Sequence, residues 1–431
     1  MNSREEVMYK RSSFLTTVLL LWIIVALFGL GACRATEQVH PEVVRIGAIY
    51  PLSGRLASTG QALKQAAELA AEIINSEYEL DLPLAQSAGL PGLDGARVEV
   101  VFADHAGDPA QGSTEAQRLI EAEGVIALLG AYNSSVTAST SQTAEAAGLP
   151  FLNASSTSPI LTERGYKWFV RTTADDAIFA RNFFEFLQDV EERQGLATHD
   201  IAIVYENTLW GTGVSQQTKA CATDYGFNVV ADVPYMANTD SVEAEVRTLI
   251  AAGKPIVIQA SYVSDAILFV QTYEELDFQP TALLAMDAGF ISPGFVEAVN
   301  VNGDYILSRE VWALDLGGHK PLVQQVDQLY FERYGSHMDG NTARVFTGLL
   351  VLAEAINRAG SIDPEAIRQA LLATDTPGEQ LIMPWEGIRF DADTGQNELA
   401  RGIIVQMWDG VYHTVWPWDM ASEELIWPMP E

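Results

Sequence analysis

Residues 130–157 read GAYNSSVTASTSQTAEAAGLPFLNASST, and this stretch decides the fold. It holds two hydroxyl-rich turns, Asn133-Ser134-Ser135 and Ser155-Ser156-Thr157. Each follows a short apolar run, Val125–Leu129 and Pro150–Leu152. A helix-like segment over Val136–Ala147, closed by Gly148, lies between them. Strand, polar turn, helix, strand, polar turn is the pattern of a parallel sheet, whose strands all end on one edge. Both hydroxyl clusters then face one crevice, beside the free N–H groups of a helix that starts after Ser134-Ser135. Hydroxyls at a helix N-terminus suit a carboxylate or another small anion. Serine and threonine in such turns are also common caps and turn formers, so the local pattern leaves both roles open.

Outward from this stretch the same rhythm continues. On the N-terminal side, Val43–Tyr50 and Val98–Ala103 read as buried strands. Gln61–Asn75 lines Leu63, Ala66, Ala67, Ala70, Ile73 and Ile74 along one helical face, and Asp108-Pro109 opens a second helix with a cap and a proline at its first position. On the C-terminal side, strands are expected at Lys167–Arg171, Ile201–Tyr205, Asn228–Val233, Pro255–Ala260, Ala282–Met286 and Tyr305–Trp312, alternating with helices. The turns after three of them carry Trp210, Tyr262 and Asp287. Helices dominate residues 321–374, and strands return near 387–390, 402–408 and 411–416. That is too many parallel strands for one sheet. The expected fold is α/β, with two doubly wound parallel-sheet lobes and a cleft between them.

Composition narrows the function classes. The chain has 431 residues, 48% hydrophobic, and a formal net charge of −32. So negative a surface argues against nucleic acid and against an electrostatic hold on anionic lipid. Arg4, Lys10 and Arg11 precede an uncharged apolar run, Phe14–Leu30, and then Leu30-Gly31-Ala32-Cys33. At about 17 residues the run could just span a bilayer as a signal anchor, but the small residues before Cys33 favour cleavage. The tetrapeptide resembles a bacterial lipobox, which implies residues 1–32 as a signal peptide, lipid on Cys33, and 33–42 as a tether. Cys221 is then the only other cysteine, so no intrachain disulfide is expected.

Catalytic signatures are lacking. The six histidines are scattered without metal-ligand spacing, and no phosphate loop, zinc-protease helix or nucleophile elbow occurs. Gly211-Thr212-Gly213 follows a strand, but Gln216 stands where a dinucleotide fingerprint needs its third glycine. No enzyme activity, cofactor or metal is expected. A lipid-anchored serine hydrolase is the alternative, and no histidine near either serine turn in sequence supports it.

Taken together, the chain resembles the substrate-binding proteins of ABC importers, in the leucine/isoleucine/valine-binding branch with the type I periplasmic binding fold. Ile46-Gly47-Ala48-Ile49-Tyr50-Pro51-Leu52-Ser53-Gly54 carries the resemblance at the first strand. Leu161-Thr162-Glu163-Arg164-Gly165-Tyr166 with Val170-Arg171-Thr172-Thr173 carries it again, as does Ile201-Ala202-Ile203-Val204-Tyr205 with Trp210-Gly211. It covers residues 43 to about 418. It implies two lobes joined by three hinge segments: 43–173 with 312–384, and 174–311 with 385–431. It also implies an exported protein at the outer face of the membrane, capturing an amino acid and passing it to permease subunits. By position, Ser134 would hold the ligand carboxylate, Thr157 with backbone near Ser155 would share it and contact the ammonium, Asp287 would pair with the ammonium, and Trp210 and Tyr262 would close over the ligand. Thr59 stands where the family often has an aromatic, and Trp210 where tyrosine is common. An amide, urea or other small carboxylate is the alternative ligand, and a ligand-sensing module for a membrane receptor the alternative output.

Overall fold

The computed structural model describes residues 41–430. The leader and Cys33 lie outside the described residues. In the first half, β1 (Val43–Tyr50), α1 (Ala57–Ile74), β2 (Arg97–Asp104), α2 (Pro109–Ala122), β3 (Ala127–Gly130), α3 (Ser134–Ala147), β4 (Phe151–Asn153) and β5 (Phe169–Arg171) follow one another. Their strands form one parallel sheet in the order β2-β1-β3-β4-β5. Successive strand residues point to opposite faces. Leu128 and Phe151 therefore enter the core under α2 and α3, while Leu129 and Leu152 enter the core on the other face. Burial on both faces explains why these strands are apolar runs rather than alternations.

The second half repeats the winding. It comprises α4 (Asp176–Gln194), β6 (Asp200–Glu206), α5 (Leu209–Tyr225), β7 (Asn228–Tyr235), α6 (Glu243–Ala251), β8 (Ile256–Ala260), α7 (Val263–Glu275), β9 (Ala282–Ala285), α8 (Pro293–Val299) and β10 (Leu307–Glu310). Strand order is β7-β6-β8-β9-β10, again parallel, and again with the second strand outside the first. Then come α9 (Pro321–Tyr334), α10 (Gly340–Ala359) and α11 (Pro364–Leu372). Helix α10 packs along α1, on the first sheet's side. A small ribbon of β11 (Asp375–Pro377) and β12 (Gly387–Arg389) follows, and then β13 (Ile403–Trp408) and β14 (Val411–Trp416).

The second sheet is not wholly parallel. Strands β13 and β14 extend it antiparallel from β10. Their link is Asp409-Gly410, with φ of 52° and 71°. Two consecutive positive φ values give the tight turn whose twist suits a two-residue hairpin, and a hairpin can only add antiparallel strands.

The chain passes between the two sheets after β5, returns after β10 and passes again before β13. The first and third passages run side by side. Arg171 N donates to Gly395 O at 2.8 Å, Asn397 N to Arg171 O at 2.9 Å, and Gln396 Nε2 to Thr173 O at 2.7 Å. Arg171 itself is fully buried, and its guanidinium donates to Gln396 Oε1 and Ser158 O.

Candidate functional site

The strand ends of both sheets meet at one small cavity. It is lined by Tyr132, Ser134, Ser155, Ser156, Thr157, Trp210, Tyr262, Asp287, Ala288, Asn341 and Arg344. All six residues singled out in the sequence as ligand contacts lie on this wall; Thr59 is buried but not part of it. Five others were not singled out: Tyr132, Ser156, Ala288, Asn341 and Arg344. The cavity left among these side chains is only about 10 Å³, roughly the room of one water molecule, so the two walls stand nearly closed on each other.

One wall is built by the quoted stretch. Helix α3 begins at Ser134, two residues earlier than the apolar pattern suggests, because Asn133 is extended (φ −77°, ψ 131°) and starts the helix without a side-chain cap. The first-turn N–H groups are thus left unclaimed by an Asn133 cap. Asn153 shapes the second turn. Its Oδ1 accepts from Ser155 N at 3.0 Å and Ser156 N at 2.9 Å, while its Nδ2 donates to Ser156 O at 2.7 Å. Thr137 and Ser156 tie the two turns together, with hydroxyls 2.6 Å apart. Ser156 therefore has a structural partner. Ser155 Oγ is buried with none among the described residues. Ser134 Oγ takes only a long 3.4 Å bond from Ser158 N.

The opposite wall comes from the ends of β6, β8 and β9. Trp210 lies in the first turn of α5, and Tyr262 is the N-cap residue of α7, without a side-chain capping bond. Two glycines allow these turns to crowd. A Cβ on Gly211 would lie 2.1 Å from Glu206 O, and one on Gly289 would lie 2.3 Å from the Tyr262–Val263 backbone. Tyr262 meets Trp210 at 4.9 Å between ring centroids and, from the other wall, Tyr132 at 5.3 Å. Burial pushes both phenols well above their ordinary 10, so they are neutral donors at any physiological pH.

Asp287 differs from its expected state. The sequence places it as the ammonium's partner, with no arginine beside it. In the structure its Oδ2 accepts from Arg309 Nη1 at 2.7 Å and also from Arg344 Nη2. Asp287 and Ala288 both have positive φ, 44° and 45°, uncommon for residues with side chains. Arg309 is fully buried between Asp176, at 3.8 Å, and the Phe179 ring, 3.4 Å from its centroid. Burial pulls Arg309 down to about 10, which still leaves it charged. Burial also acts on Arg344, but the carboxylates of Asp287 and Glu310 outweigh it and hold Arg344 above its ordinary value. Asp287 Oδ1 takes no hydrogen bond among the described residues, so one oxygen is clamped and one is free. Asn341 and Arg344 belong to the first turns of α10, a helix buried almost throughout. Their signal in the sequence is an arginine near the start of a helix whose following turns, residues 345–353, are almost wholly apolar.

Among the described residues no cluster of His, Cys, Asp and Glu is placed to hold a metal ion, and no single helix is long and apolar enough to cross a membrane.

Two sheets with the same winding, meeting at their strand ends around a small cavity of hydroxyls, aromatics and buried charge, define a bilobal small-molecule receptor. The chain belongs to the periplasmic binding protein family, whose model matches residues 43–410. It is 29% identical over 416 residues to Leu/Ile/Val-binding protein homolog 7 of Brucella melitensis, covering 95% of this chain and 99% of that one. Among solved structures, the leucine-binding protein LivK of Thermotoga maritima superposes with a TM-score of 0.73 at 20% identity, covering 86% and 98% of the two chains. The branched-chain amino acid binding protein LivJ of Streptococcus pneumoniae, solved with isoleucine, gives 0.70 at 20% identity, covering 86% and 99%.

Proposed function

We infer that this is a non-enzymatic receptor that captures a free amino acid in the cleft and delivers it to the permease of an ABC importer. What supports this is one cavity with hydroxyls and a helix start on one wall and the Asp287 carboxylate on the facing wall. Ser134, Ser155 and Thr157, with the α3 N-terminus, take the α-carboxylate. The free Oδ1 of Asp287 takes the ammonium, while its other oxygen stays fixed by two arginines. Trp210, Tyr262 and Tyr132 close over the ligand. The names of the Brucella and LivK relatives support an amino acid. The lobes are 43–173 with 312–384 and 174–311 with 385–431, and the β11–β12 ribbon straddles the last boundary. Lipid on Cys33 holds the receptor at the outer face of the membrane.

Calorimetric titration of the mature protein with the twenty amino acids, and with urea and acetamide, tests the reading. Saturation by an amino acid at micromolar concentration is expected. Binding of the amides alone would replace it with an amide receptor of the same fold.

A further inference from the structure

The cavity has polar groups that an α-amino and an α-carboxylate group do not use. Arg344 is 2% exposed and lines the cavity, one nitrogen spent on Asp287. Its Nε is buried with no partner. Asn341 also lines the cavity; its Nδ2 donates to Ala288 O at 3.3 Å, but its Oδ1 has no partner. Thr347 Oγ1, one helical turn from Arg344, is also buried and unpartnered, although it lies behind the cavity wall. Arg309 cannot answer for these groups, because it lies behind Asp287 and does not line the cavity. Ala288 is the only aliphatic side chain on the wall. An aliphatic ligand would therefore shut a guanidinium and a carboxamide away from water without giving either an acceptor or a donor. Leaving such groups unpaired is what makes polar pockets reject apolar analogues. A planar oxygen acceptor matches the guanidinium fork instead.

We propose that Arg344, with Asn341 beside it, sets the specificity of this cleft, and that the ligand is an α-amino acid whose side chain ends in a carboxylate or carboxamide. This rests on the amino-acid reading above and refines it. The charges of Asp287 and Arg344 offset each other on the wall, so the acid and its amide share the chemistry, and titration separates them.

The test is calorimetry of the mature protein with aspartate, glutamate, asparagine, glutamine, leucine, isoleucine and valine, repeated on Arg344→Met. Methionine keeps the length of the side chain and removes every donor, while Asp287 keeps Arg309 as its partner. The expected result is at least tenfold tighter binding of one acid or amide than of leucine. R344M should then weaken that ligand at least 100-fold and leucine, which loses only the second clamp on Asp287, less than tenfold. Should R344M fail to fold, Arg344→Lys carries the same test: the preferred ligand weakens at least tenfold more than leucine does. Leucine, isoleucine or valine binding tightest to the wild type overturns the specificity while leaving the amino-acid reading standing. Equal weakening of all ligands by the variants overturns it too, since Arg344 would then act only on the fold. A folded wild type that binds none of the seven, nor any other amino acid, overturns both readings together.

Discussion

The two walls of the cleft are made of opposite materials. At the ends of β3 and β4 the wall is neutral: hydroxyls, backbone N–H groups, and Asn153 turning one loop back on itself. At the end of β9 and the start of α10 it is charged, with Asp287 held between Arg309 and Arg344. The neutral wall is nearly finished before any ligand arrives, and what it leaves open is a few donors. The charged wall is held by mutual compensation, so that no member can be removed cheaply. The difference teaches where each wall is vulnerable: the first in affinity, the second in folding.

The largest effect expected is that of Asp287→Ala. It leaves Arg344 with no direct carboxylate and Arg309 with only Asp176 at 3.8 Å. Breaking a buried ion pair from one side costs about 3–5 kcal/mol. Urea unfolding of the unliganded variant should show a loss of that size, with ligand binding abolished. A loss under ~1 kcal/mol would mean that the arginines rehydrate freely, and the walls would then differ less than their composition suggests.

A smaller effect comes from Glu206, which ends β6 just before the Trp210 turn. It is 1% exposed; one oxygen accepts from Thr208 Oγ1 and the other has no partner. Burial pushes its carboxyl up from 4.5 to about 8, with Asp265 adding a like charge and the Thr208 bond opposing. The unfolded chain thus releases this proton near 4.5 and the folded chain near 8. Between those values the folded state binds the extra proton, so stability falls as pH rises through the window and levels off above it. Glu206→Gln does not titrate. Its stability advantage over the wild type should grow by on the order of 3 kcal/mol between pH 5 and pH 8, then stay flat. A gap that does not change with pH would show that Glu206 ionises normally, through water reaching the site.

The two walls were also unequally legible. Hydroxyls of the neutral wall sit within one run of 28 residues, 130–157, and their turn chemistry and helix start are local facts. Trp210, Tyr262 and Asp287 could be placed because each follows a strand, and parallel strands end together. Arg309 and Arg344 could not. Arg309 lies inside β10 and Arg344 inside a helix that packs on the other sheet's side, so only the tertiary fold brings them to Asp287. From the sequence, Asp287 is therefore expected only as the ammonium's partner, without its two arginines. The sequence places both β13 and β14 but not their antiparallel direction, for a simpler reason. Asp409-Gly410 is a strong turn signal, but the βα rhythm of the preceding chain suggested more parallel strands.

Ser134→Ala gives the smallest effect and the sharpest contrast with Asp287. Ser134 is 2% exposed, yet among the described residues its hydroxyl makes only the 3.4 Å contact with Ser158 N. Removing it should cost less than ~1 kcal/mol of unfolding free energy, because a long hydrogen bond contributes little and alanine favours the helix that starts there. Its value is expected in the complex. A hydrogen bond to a charged group is worth about 1.5–3 kcal/mol, so losing the one to the carboxylate should weaken binding roughly 10- to 100-fold. Calorimetry and urea unfolding on the same variant give both numbers. If S134A lowered stability as much as affinity, the hydroxyl would be a structural cap. The neutral wall would then bind through the α3 backbone, and the contrast between the two walls would rest on Ser155 and Thr157 alone.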